Sequence, residues 1–68
     1  MTENLMDGLM DELNRNRELL KIYQEIGPAG RLGAMLIDRD IKAGEQAIRD
    51  NDVVAMLRAY NALKDNKG

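Results

Sequence analysis

The chain has 68 residues, ten basic against twelve acidic, with no cysteine, no histidine and a net charge of −2. One domain at most fits that length. Disulfides and thiolate metal sites are excluded, and without imidazole the commonest metal ligand and the usual general base are missing.

The first helix is expected over 4–26, capped by Thr2 or Asn4. Glu3, Asp7, Asp11 and Glu12 crowd its first turns, where carboxylates suit the positive end of the dipole. Leu5, Met6, Leu9, Leu13, Leu20 and Tyr23 fall on one side of it. The series Met6, Leu9, Leu13, Asn16, Leu20, Tyr23 reads as alternating a and d positions of a heptad, with Asn16 as its polar member. Asp11 and Arg15 have the spacing of an i,i+4 pair. Such a helix is roughly 33 Å long, and its stripe is too long for the remaining residues to cover. A second copy of the chain is the expected cover, with Leu9, Leu13, Asn16, Leu20, Tyr23 and Asp40 as the contact residues.

Gly27-Pro28-Ala29-Gly30 is the clearest punctuation. Gly27 suits a left-handed helix end, and Pro28 suits a first helical position because it has no amide hydrogen to lose. The second helix then runs to about residue 50. Leu32, Leu36, Ile37, Ile41, Ala43, Gly44, Ala47 and Ile48 span an arc of roughly 160–180°, wider than an ordinary surface helix requires. Asp40 interrupts that arc. It is either paired with an arginine, Arg17 or Arg58 by face, or set in a gap open to water. Asn16 has two readings as well: a seam residue that fixes register, or a solvent-facing interruption.

Asn51-Asp52 is the second break, a left-handed residue followed by an N-cap. The third helix is expected over 53–64, with Val53, Met56, Leu57, Tyr60 and Leu63 on its apolar face, and the tail 65–68 is expected to fray. The fold class expected is all-α: a long first helix, a helical hairpin of the second and third, and a homodimer of the whole.

Few motifs carry chemistry. Gly30, Arg31 and Gly33 at a helix N-terminus form a candidate anion site. The spacing is neither a P-loop nor a dinucleotide fingerprint, and close approach of another helix is the favoured reading of the glycines. Asp38-x-Asp40 and Asp50-Asn51-Asp52 do not match a calcium loop, so no metal is expected.

AIRDNDVVAMLRAYNAL resembles half of a tetratricopeptide repeat, and one partial copy cannot build an array. EIGPAGRLGAMLI followed by DVVAMLRAYNALK resembles segments of short phage or prophage proteins of unassigned function. That resemblance implies a small viral accessory protein as the context.

The function expected is a non-catalytic protein-interaction module, possessing no cofactor and binding an unidentified protein partner. The alternative is a dimeric DNA-associated regulator. Against it, the third helix carries only Arg58 and Lys64 as basic residues and starts at an aspartate cap. No enzyme is expected, because a general acid–base site would rest on carboxylates and tyrosines alone. No apolar run approaches the ~20 residues that span a bilayer, and the N-terminus is acidic where a signal peptide is basic. A cytoplasmic protein without membrane contact follows as the expectation.

Overall fold

The computed structural model describes residues 4–67, which form an all-helical chain with no strand among them. The elements are α1 (Leu5–Ile26), a 3-10 turn (Gly27–Gly30), α2 (Arg31–Arg49) and α3 (Val53–Asp65). Each α-helix packs on the other two, in a body measuring 37 × 26 × 16 Å.

Local chemistry sets the ends. The Asn4 side chain accepts from the Asp7 amide at 2.8 Å and starts α1; the alternative start at Thr2 and the Glu3 carboxylate lie outside the described residues. Gly27 ends α1 at φ 85, ψ −143. This is a region open essentially to glycine alone, rather than the ordinary left-handed well. Pro28 belongs to the 3-10 turn, and α2 begins only at Arg31. At the other break, Asn51 has φ 51. Its amide donates to the Ile48 carbonyl at 3.1 Å, and the Asp52 amide donates to that of Ala47 at 3.0 Å. These are the paired bonds of a Schellman end, with asparagine in the place usually held by glycine. The Asp52 carboxylate then accepts from the Ala55 amide at 3.1 Å and opens α3.

The core is Leu9, Leu13 and Leu19 of α1, Ile37, Ile41 and Ala47 of α2, and Met56, Ala59 and Leu63 of α3. Gly44 sits where the three helices meet. A methyl there would lie 3.0 Å from Leu13 Cδ2, 3.4 Å from Leu63 Cδ1 and 3.5 Å from Leu9 Cδ1.

Several expectations change. Leu9 and Leu13 are covered by the chain's own helices, at 0% and 1% exposure. Leu19 is buried while Leu20 is only half-buried, because α3 lies to one side of the heptad seam and draws the buried arc towards itself. Met6 is exposed. Leu32 and Leu36 of the wide α2 arc are exposed too, as are Val53 and Leu57 of α3. For Leu32 and Leu36 the cause is length. The 13 residues of α3 extend about 20 Å and the 22 of α1 about 33 Å, so α3 stops short of the end where α1 and α2 join.

Candidate interaction surface

Two polar residues lie inside the apolar contact, and α3's early end explains both. The last carbonyls of a helix have no partner within it. At the end of α3, the Leu63 carbonyl accepts from Arg15 Nη2 at 2.7 Å, from Asn16 Nδ2 at 3.1 Å and from the Asn66 amide at 3.1 Å. Asn16, fully buried, also donates to the Glu12 carbonyl at 2.8 Å. It therefore does not face water; it closes α3.

Asn66, just past α3, ties the cluster together. Its Nδ2 donates to Asn16 Oδ1 at 3.0 Å and to Asp40 Oδ2 at 3.1 Å. Asp40 is buried and paired, but with its neighbour Arg39, whose Nε and Nη2 each lie 3.2 Å from Oδ1. Arg17 instead pairs with Glu45 at 2.9 Å, and Arg58 lies exposed on α3. The Arg39 side chain is 69% exposed, so it reaches Asp40 from the solvent side. The expected Asp11–Arg15 pair gives way to Glu12–Arg15 at 2.9 Å, which aims the guanidinium at the end of α3. The tail is held as far as Lys67, whose carbonyl accepts from the Tyr23 hydroxyl at 2.8 Å; Gly68 lies outside the described residues.

The glycine pair serves packing. A methyl on Gly30 would collide with the Tyr23 carbonyl oxygen, and one on Gly33 would stand 2.5 Å from Cε2 of the Tyr23 ring. The Arg31 amide already donates to the Pro28 carbonyl. Both glycines thus admit close approach of α1 to α2, the favoured reading of the motif. The two aspartates of Asp38-x-Asp40 diverge: Asp38 pairs with Lys42 at 2.8 Å, and Asp40 turns inward. The Asp38 carboxylate, by hydrogen bond and then by charge, raises the Lys42 pKa above its ordinary value. No group of acids suited to hold a metal occurs among the described residues.

The unfilled surface lies at the end where α1 and α2 join. Tyr23 stands between two grooves. One, of about 490 Å³, is lined by Leu20, Pro28, Arg31, Ala34, Met35 and Asp38 among others. The other, of about 190 Å³, lies between Gly33, Leu36 and Ile37 and the tail residues Asp65, Asn66 and Lys67. Met35 on the larger groove and Leu36 on the smaller are exposed, and so are Ile22, Ile26 and Leu32 on the same two helices, Leu32 to 68%. Of the expected contact residues, Leu20 and Tyr23 border these grooves, whereas Leu9, Leu13, Asn16 and Asp40 are buried in the core and its polar cluster. Met35, Ile22 and Ile26 were not among the expected contact residues, and Leu32 was assigned only to the wide α2 arc.

No helix among the described residues is long and apolar enough to cross a membrane. No family model, curated protein or solved structure matches the chain.

Proposed function

We propose that this protein is a non-catalytic interaction module. In this reading it is a small helical homodimer, cytoplasmic, that presents the joined end of α1 and α2 to a protein partner. The observation that carries the reading is the open groove beside Tyr23, whose wall includes the exposed Met35, together with the exposed Leu36 on the smaller groove. Contiguous apolar surface rimmed by charge is what an interaction face presents to solvent. Methionine at such a face adapts to a partner's shape. Arg31 and Asp38, on the wall of the larger groove, supply a polar rim of both signs. The lack of histidine and cysteine supports a role without catalysis. The resemblance to short phage proteins supports an accessory protein that binds and modulates a host protein.

The test compares wild type with Leu32→Glu and Met35→Glu. Both positions are exposed, so both variants should keep the wild-type melting temperature while losing the bound host protein in affinity capture. A set of captured proteins unchanged by either variant refutes the assignment of this face. Light scattering coupled to gel filtration gives the mass of the assembly, and a monomer at high micromolar concentration refutes the dimer.

A further inference from the structure

We infer that the second copy is held by exchange of α3: the α2–α3 turn straightens into one helix, and each chain's α3 occupies the other chain's α1–α2 groove. This rests on the self-association proposed above and specifies its geometry. The turn is built to permit it. No glycine or proline occurs between Gly44 and Lys67, so nothing in residues 45–67 forbids a continuous helix. The turn is held by Asn51 at φ 51, by the two Schellman bonds and by the Asp52 cap. Straightening exchanges these for ordinary helical bonds and removes the positive φ from a residue that carries a Cβ.

The apolar faces are in register for the exchange, interrupted only at Asp52. Ile37, Ile41, Gly44 and Ile48 of α2 and Met56, Ala59 and Leu63 of α3 are linked through position 52 by steps of three or four residues. In one unbroken helix they form a single stripe. Every contact that α3 makes with α1 and α2 joins segments on opposite sides of the turn. The packing of Tyr60 on Gly8 and the capping of Leu63 by Arg15 and Asn16 can therefore form between chains without alteration. The exchange also gives Val53 and Val54 a place. They are 63% and 60% exposed beside the turn, where two straightened helices run past one another. Short turns under local strain favour this mode of pairing.

The experiment co-refolds isotope-labelled and unlabelled chains and records isotope-filtered NOEs between Gly8 and Tyr60, where a methyl on Gly8 would lie 3.1 Å from Tyr60 Cε1. The expected result is a dimer in which this NOE crosses between chains. Asn51→Ala, which disfavours positive φ and favours helix in both turns of the dimer, should tighten dimerisation by roughly thirtyfold or more. Asn51→Gly should weaken it. A dimer whose Gly8–Tyr60 NOE stays within one chain overturns the exchange and leaves self-association standing. A monomeric wild type removes the self-association reading, and Asn51→Ala then decides: an interchain NOE in its dimer supports the exchange, and a monomeric Asn51→Ala overturns it.

Discussion

Asn16→Asp tests whether the buried polar cluster exists to close α3. The change is nearly isosteric, so it opens no cavity, and asparagine and aspartate have similar helix propensities. Only the chemistry of one atom changes: an amide nitrogen donating at 2.8 Å to the Glu12 carbonyl and at 3.1 Å to the Leu63 carbonyl becomes a carboxylate oxygen facing two acceptors. The site is 0% exposed, and Asp40 already brings a carboxylate to the same Asn66 amide. An uncompensated buried charge costs about 3–5 kcal/mol, against a total stability of roughly 3–10 kcal/mol for a chain this size. The variant should melt about 12 °C or more below wild type at neutral pH, at ~4–8 °C per kcal/mol. The sign with pH follows from linkage. A carboxyl whose folded pKa exceeds its unfolded value destabilises above the folded pKa, and the deficit shrinks as pH falls towards the unfolded value of about 4. Circular-dichroism melts of the two proteins at matched concentration, across acidic to neutral pH, measure this. A variant as stable as wild type at neutral pH, or a deficit that widens on acidification, refutes the capping role.

Asp40→Ala should cost only about 1–2 kcal/mol in denaturant titration. One charged hydrogen bond to Asn66 is lost, but Arg39 is free to hydrate and alanine is the better helix former; a loss of ~3 kcal/mol or more would mean that the arginine is trapped. Gly33→Ala should destabilise by about 1–3 kcal/mol, because its methyl displaces the Tyr23 ring, and a thermal melt unchanged from wild type would remove Tyr23 from that contact. Gly27→Ala should also lose about 1–3 kcal/mol, in this case through backbone strain alone, since nothing lies within 4 Å of the added methyl; equal stability would place the φ of Gly27 elsewhere. Duplex DNA should bind weakly, with an affinity that collapses as salt rises; a sequence-specific mobility shift at physiological salt would contradict this.

The helical class was legible in the spacing of apolar residues, and the turn chemistry was legible at Asn51 and Asp52, whose side chains and backbone behave as their types suggest. The contact residues were less so. A heptad reading treats α1 as facing one neighbour. It faces two, and that difference buries Leu19 in preference to Leu20. The partner of Asp40 was hidden because adjacent helical positions diverge by ~100°, and only the length of the arginine side chain lets Arg39 bend back. Asn66 follows the end of α3 and belongs to no periodic pattern. Its signal was indirect: a polar residue in the seam at Asn16 needed a partner, and the candidates on the helices were poor. The exposed apolar end was invisible to periodicity, because whether Leu32 is covered depends on where α3 stops rather than on the sequence of α2.

Tyr23 borders both grooves and anchors the tail through its hydroxyl. With two tyrosines and no tryptophan, phenylalanine or histidine, the aromatic region of an unlabelled proton spectrum contains two rings. Tyr60 packs on Gly8, remote from the grooves. After exchange into deuterated solvent the Tyr23 resonances therefore form a private channel: whatever enters either groove, or lifts Lys67 from its phenol, shifts a signal that shares its region with Tyr60. The protein carries its own occupancy gauge, readable without a fluorophore, an isotope label in the chain or an engineered residue.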